Sequence, residues 1–166
     1  STIDLVILAT VTPDIQVAAT TAYVASSIGA INAFAYDLNA ACSGFLYGMS
    51  VAAAYITSGR YKRILLIGAD KMSSIVDYSD RTTCIIFGDG GGAVLFEPNY
   101  EGFGWKDEYF RSNGTDRMSL GIKAGGSLHP TSEETLKKGW HNIYQDGKAV
   151  FKYAVSEMSY VAEQIM

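Results

Sequence analysis

The stretch DLNAACSGFLYGMSVAAAYITSG, Asp37 to Gly59, holds one cysteine and no charged side chain after its first residue. From Leu38 to Gly59 the uncharged run is 22 residues, long enough to cross a bilayer as a helix. Its composition argues against a span. It is rich in Ala, Gly and Ser, carries Asn39, Thr57 and the hydroxyls of Ser43, Ser50 and Ser58, and has few Leu, Ile or Phe. A helix that is small or apolar all round is otherwise one buried on every face of a large protein. The run is therefore expected to form a long buried helix from about Cys42 to Ser58, closed by Gly59.

Outward from that helix, apolar β-type runs alternate with helical ones, the pattern of a largely parallel sheet with crossover helices. Ile3 to Ala9 reads as a strand, Ala18 to Gly29 as a helix and Ala33 to Leu38 as a second strand. Arg63 to Ala69 reads as a central strand, because its apolar residues do not alternate. After a polar loop from Asp70 to Thr82, the stretch CIIFGDGGGAVLFEP reads as two strands broken by Gly88 to Gly92, with Cys84 in the first. Gly102 to Leu128 is loop-like, with weak strand signals near Phe110 and Ile122. The last stretch, Gly147 to Met166, places Phe151, Val155, Met158, Ala162 and Ile165 on one helical face. The chain opens almost inside a strand and stops without a helix-ending signal, so it is expected to be part of a longer polypeptide.

Composition narrows the function. The 166 residues are 48% apolar with a net charge of -4, and their scattered Lys and Arg form no basic stripe, so nucleic acid is not an expected partner. Neither is a membrane. The first residues, STIDLVILAT, lack the basic region and cleavage pattern of a signal peptide. Two cysteines in dissimilar settings suggest a reducing compartment, which predicts a cytoplasmic protein. Cys42 and Cys84, with His129 and His141, have no metal-ligand spacing, so no metal site is expected. FGDGGGA lacks the Lys and Ser/Thr of a phosphate-binding loop, and its glycines read as structural.

Cys42 falls at a strand-to-helix turn, where unpaired N–H groups and the positive end of the helix dipole favour a thiolate. The same N–H groups can receive the oxyanion formed when a thiolate attacks an acyl carbonyl. Ala40, Ala41, Ser43 and Gly44 are small enough for a substrate carbonyl to approach the backbone. A buried structural cysteine is the competing reading.

DLNAACSGFLYGMSVA, then GRYKRILLIGAD, then DYSDRTTCIIFGDGGGAVLF, in this order and spacing, resemble β-ketoacyl-acyl-carrier-protein synthase III, an initiating condensing enzyme of the thiolase-like superfamily. The resemblance runs from Ile3 to about Phe96 and resumes at DGKAVFKYAVSEM. It implies an α/β, thiolase-like layered αβαβα fold, present here only as a partial chain. Residues 1–98 would be the end portion of the amino-terminal half with the nucleophile. Residues 99–166 would be the connecting segment and the start of the carboxy-terminal half.

The resemblance further implies that Cys42 accepts an acyl group from acyl-CoA, and that malonyl-acyl carrier protein is then decarboxylated to the carbanion that attacks the thioester. Acyl-CoA is a substrate there, and no cofactor is implied. By the same likeness Phe87, Arg81, Phe151 and Met72 are substrate-binding candidates, and Lys152 is a candidate contact for the acidic carrier protein. Thr82 stands where the family often has glycine, and Gly91 where it has alanine. A homodimer paired through the strand before the nucleophile, Asn32 to Leu38, is also implied.

The histidine and asparagine that hydrogen-bond the malonyl thioester in the family have no counterpart here. Neither His129, in SLHPTS, nor His141, in GWHNIY, lies in the family context, and both are expected to be loop or surface residues. The 166 residues alone are thus not expected to condense. The alternatives are another thiolase-like enzyme, of the polyketide or hydroxymethylglutaryl-CoA synthase type, and a non-catalytic partner subunit.

Overall fold

The computed structural model describes residues 2–166, which divide into two compact units. The first comprises residues up to 71 together with 89–106, and the second residues 72–88 together with 107–166.

The first unit is built on a four-stranded sheet of order β2-β1-β3-β4, with β1 at Leu5–Ala9, β2 at Phe34–Leu38, β3 at Ile64–Asp70 and β4 at Gly90–Phe96. β1 pairs in parallel with β2, Leu5 opposite Phe34, and with β3, Leu5 opposite Ile64. β4 runs antiparallel to β3, with Leu66 opposite Val94. Helix α1, Thr20–Ser27, connects β1 to β2, and helix α2, Gly44–Thr57, connects β2 to β3. The two crossovers step in opposite directions along the sheet, so right-handed connections put their helices on opposite faces. The core agrees. Leu5, Ile7, Ile64 and Leu66 pack with Ala52, Phe45 and Met49 of α2, whereas Val6, Leu65 and Ile67 pack with Ala25 of α1 and Ala30. All five residues of β1 are buried, which is why its sequence, LVILA, shows no alternation.

Both helices stop where glycine permits a left-handed residue. Gly29 (φ +74°) and Gly59 (φ +71°) allow the N–H groups of Ala30 and Arg60 to donate back to the carbonyls of Ala25 and Tyr55, at 2.8 and 3.1 Å.

The second unit has less regular structure. A two-stranded antiparallel ribbon pairs β5, Leu120–Ile122, with β6, Ile143–Gln145. Short helix α3, Glu133–Lys137, opens with a capping box in which Ser132 and Thr135 satisfy each other's backbone N–H groups. Helix α4, Gly147–Ile165, is capped by Asp146, whose carboxylate accepts the N–H of Ala149 at 3.0 Å.

Three expectations are corrected. CIIFGDGGGAVLFEP contains one strand, not two, because residues 81–86, with Cys84, form consecutive turns started by Asp80, whose carbonyl accepts the Cys84 N–H at 3.0 Å. The strand signal near Phe110 produces no strand, whereas the one near Ile122 becomes β5. The long helix begins at Gly44, two residues after Cys42. Within this chain α2 is covered along one side: Gly44, Gly48 and Ala52 are buried, and Leu46 is 50% exposed. The i, i+4, i+8 spacing of the three buried residues marks one stripe against the sheet.

Candidate active site around Cys42

The turn holding Cys42 is fixed from both sides by the first unit. Upstream, the carbonyl of Leu38 at the end of β2 accepts the N–H of Thr10 at 3.1 Å, continuing the parallel ladder past β1. Downstream, α2 is drawn tightly onto the sheet by its glycines. A Cβ on Gly44 would stand 3.3 Å from Ala9 Cβ, and one on Gly48 only 2.4 Å from Leu66 Cδ1. A side chain at either position would press on Ala9 or Leu66, so the two glycines favour the close approach of α2 to β1 and β3.

Between these anchors, Asn39 Oδ1 accepts the N–H of Ala41 at 3.3 Å, and Ala41 takes the left-handed conformation with φ +48°. A residue with a Cβ held there costs on the order of 1 kcal/mol. The chain then makes one 3-10 turn, Ala41–Ser43, closed by the Ser43 N–H to the Ala40 carbonyl at 3.1 Å, before α2 begins. Cys42 is the middle residue of this turn and is exposed. Ser43, at the N-cap position of α2, makes no side-chain cap, so no side chain of this residue competes for the first-turn N–H groups. The arrangement presents an accessible thiol two residues before the uncapped start of α2, at the carboxyl end of a parallel strand where open α/β sheets place ligands.

Two aspartates, neither marked as functional by the sequence reading, hold the loops at that end of the sheet. Asp37, near the end of β2, accepts the N–H groups of Thr20 at 3.0 Å and Thr21 at 2.9 Å and the Thr21 hydroxyl. Asp70, the last residue of β3, takes four donors on Oδ1: the Thr10 and Thr12 hydroxyls, each at 3.0 Å, and the N–H groups of Val11 at 2.8 Å and Thr12 at 3.2 Å. The available signal was an Asp closing each apolar strand, with Thr-rich segments elsewhere to supply donors.

The other candidates all fall in the second unit. Met72, 9% exposed, starts a 3-10 turn at Met72–Ser74. Arg81 is exposed and Phe87 half-buried, at the start and just beyond the turns that also carry Thr82. The N–H and hydroxyl of Thr82 both donate to Asp80, at 2.9 and 2.7 Å, and these bonds hold the Asp80 carboxyl below the ordinary carboxylate range. Phe151 and Lys152 are exposed on α4, Phe151 at 72%. His129 stacks edge-on against Trp140 at 5.3 Å between ring centres, and His141 Nε2 shares a hydrogen bond of 3.0 Å with the Thr135 hydroxyl. Among the described residues no cluster of His, Cys, Asp or Glu could hold a metal ion, and no helix is long and apolar enough to cross a membrane.

Comparison with known proteins extends these observations. The family model for 3-oxoacyl-[acyl-carrier-protein (ACP)] synthase III matches residues 36–114. A β-ketoacyl-[acyl-carrier-protein] synthase III of Chlorobium phaeovibrioides is 51% identical over 99% of the chain and 50% of its own length. A β-ketoacyl-[acyl-carrier-protein] synthase III 2 of Bacteroides thetaiotaomicron is 52% identical over 98% of the chain and 49% of its own length. The chain thus spans about half the length of the curated relatives it matches. Among solved structures, a 3-oxoacyl-(acyl-carrier-protein) synthase III aligns with TM-score 0.89 at 26% identity, over 99% of this chain and 52% of its own. The 3-oxoacyl-(acyl carrier protein) synthase III of Pseudomonas aeruginosa PAO1 aligns with TM-score 0.81 at 33% identity, over 98% of this chain and 49% of its own. The α/β, thiolase-like architecture expected from the sequence is the one these structures share, here as a partial chain. With a family model matching the cysteine turn and relatives about half identical along nearly its whole length, the chain resembles the 3-oxoacyl-[acyl-carrier-protein] synthase III family and corresponds to about half of such a protein.

Proposed function

We propose that this segment supplies the nucleophile of an acyltransferase that condenses an acyl-CoA primer with malonyl-acyl carrier protein, initiating fatty acid synthesis. The observation that carries the reading is the exposed thiol of Cys42, set between the left-handed Ala41 and the uncapped start of α2. The Cys42 sulfur attacks the acyl-CoA carbonyl, the tetrahedral oxyanion is received by backbone N–H groups at the helix start, and CoA leaves as its thiol with the proton. Malonyl-acyl carrier protein then loses carbon dioxide, and the resulting carbanion displaces the Cys42 sulfur.

In this reading Phe87, Met72 and Phe151 contribute apolar surface to the acyl path, Arg81 a planar cation for the CoA nucleotide and Lys152 a positive contact for the carrier protein. Residues 1–98 end the amino-terminal half, and residues 99–166 lead into the carboxy-terminal one. Two free thiols fit a cytoplasmic protein. A second copy pairs along β2, whose outer edge has no neighbouring strand among the described residues.

The test uses a polypeptide of the relatives' full length carrying this segment. Acetyl-CoA should leave an acetyl group on Cys42, located by peptide mass spectrometry, and Cys42→Ala should abolish both the adduct and ketoacyl product. Full turnover by Cys42→Ala would overturn the assignment.

A further inference from the structure

Asn113 stands before Gly114 in the second unit, in the irregular segment ahead of the 3-10 turn at Arg117–Ser119, and both residues are exposed. Of the chain's asparagines, at 32, 39, 99, 113 and 142, it alone is followed by glycine. Its side-chain oxygen accepts the N–H of Thr115 at 2.9 Å and the Thr115 hydroxyl as well. The Gly114 N–H donates to no group among the described residues, and a Cβ added at Gly114 would meet nothing within 4 Å.

From this arrangement we propose that Asn113 is a site of spontaneous covalent modification, converting to aspartate and isoaspartate through a cyclic imide with Gly114. Each requirement of the reaction has a named group. The attacking atom is the Gly114 backbone nitrogen, which gives its proton to hydroxide and breaks no hydrogen bond in doing so. It bonds to Asn113 Cγ, and the tetrahedral carbon bears an oxyanion at Oδ1, where the Thr115 N–H and hydroxyl already point. Donors aimed at developing charge lower a barrier of this kind, less at a wet surface than in a dry site. The side-chain nitrogen takes up a proton and leaves as ammonia, closing the imide. Water then adds across one of the two imide C–N bonds. Opening on one side gives aspartate, and opening on the other routes the main chain through the former side chain as isoaspartate. Nothing is oxidised or reduced, and water is the only co-reactant.

Two other asparagines act as internal controls. Asn99 Oδ1 accepts the N–H of Glu101 at 2.8 Å, in the same kind of turn, and Asn39 Oδ1 accepts the N–H of Ala41 at 3.3 Å. Their following residues are Tyr100 and Ala40, whose side chains restrict the backbone and crowd ring closure, as Gly114 does not. The comparison separates the turn, common to all three, from the glycine, found at one. Conversion adds a carboxylate three residues before Asp116, and the isoaspartate form also lengthens the backbone by one carbon and loses the turn to Thr115.

The experiment follows the intact chain at neutral and mildly alkaline pH and physiological temperature, with peptide mapping by mass spectrometry and chromatographic separation of the aspartate and isoaspartate peptides. The Asn113 peptide should acquire the acid mass and split into two products, at a rate rising with hydroxide concentration, while the Asn99 and Asn39 peptides stay intact. Gly114→Ala should slow conversion about tenfold or more, through lost backbone freedom and added bulk. Thr115→Ala should slow it several-fold, and the folded chain should convert at least as fast as a short peptide of the same sequence. Equal conversion at Asn99 and Asn113, no effect of Gly114→Ala, or a folded rate far below that of the peptide would overturn the proposal.

Discussion

Thr21 donates both its backbone N–H, at 2.9 Å, and its hydroxyl to the carboxylate of Asp37, so one side chain near the end of β2 closes the amino terminus of α1. Thr21 is fully buried, and α1 has no side-chain cap of its own at Ala19. Asp37 therefore does from a neighbouring strand what an N-cap residue does locally.

Asp37→Ala should be costly. It strands a buried hydroxyl and two helix-start N–H groups, and an unmade hydrogen bond of a buried group costs about 1–3 kcal/mol. A loss in that range is expected in urea unfolding, with Asp37→Asn retaining an acceptor and losing less. A neutral effect of Asp37→Ala would show that water replaces the carboxylate at the head of α1.

Gly48→Ala should destabilise by overpacking. The new methyl would lie 2.4 Å from Leu66 Cδ1, and Leu66 is fully buried, so its side chain would have to shift within the core. Forcing an extra methyl into a filled core costs about 1–3 kcal/mol. Pairing Gly48→Ala with Leu66→Ala should cost less than the sum of the single changes, the sign of a shared clash. Additive losses would locate the effect of Gly48→Ala elsewhere.

The pH dependence of stability should include a contribution from Asp4. The backbone N–H of Lys62, at 2.8 Å, and that of Arg63, at 2.9 Å, donate to its carboxylate and hold its pKa below the ordinary value. A lowered folded pKa means the unfolded chain binds the proton more readily, so stability is gained as pH rises. The contribution is complete above the unfolded value of about 3.9 and disappears as pH falls through the lowered folded value. Wild type should exceed Asp4→Asn in urea midpoint near neutrality and converge with it in acid. A gap that widens on acidification would contradict the sign.

The sheet and both of its helices were legible because their signals are local: unbroken apolar strands, and glycines where helices end. What failed depended on tertiary neighbours. CIIF has β-branched and aromatic residues enough for a strand, but Asp80 gathers the N–H groups of Thr82 and Cys84 into turns. Cys42 was located to within a turn, whereas its left-handed neighbour Ala41 was invisible, since alanine rarely adopts that conformation and nothing in the local sequence demands it. Asp37 and Asp70 were missed because their partners lie 16 to 17 and 58 to 60 residues away.

Cys42 and Cys84 should differ as targets of an alkylating reagent. Cys42 is exposed in its turn, and Cys84 is half-buried in a turn following Thr83, whose side chain is 1% exposed. Under limiting iodoacetamide the Cys42 peptide should be modified first, and acetyl-CoA should protect it. Preferential modification of Cys84 would remove the basis for assigning the nucleophile by accessibility.

The final prediction concerns the two histidines. His129 is stacked on Trp140, and His141 shares its Nε2 hydrogen bond with Thr135, so each is engaged in the packing of the second unit. Removing the edge-on ring contact by His129→Ala should cost about 0.5–1.5 kcal/mol of stability. His141→Ala should cost about 1 kcal/mol, since the Thr135 hydroxyl keeps the Ser132 carbonyl as an acceptor at 3.0 Å. Neither change should alter acetylation of Cys42. In the proposed condensation, decarboxylation of malonyl-acyl carrier protein would develop negative charge on a second thioester oxygen, and the loss of one donor there would raise the barrier by about 3–4 kcal/mol. The 166-residue chain mixed with acetyl-CoA and malonyl-acyl carrier protein should accordingly yield acetyl-Cys42 and no ketoacyl product. Product formed by the wild-type chain and lost in His129→Ala or His141→Ala would make that histidine a catalytic residue and overturn its structural assignment.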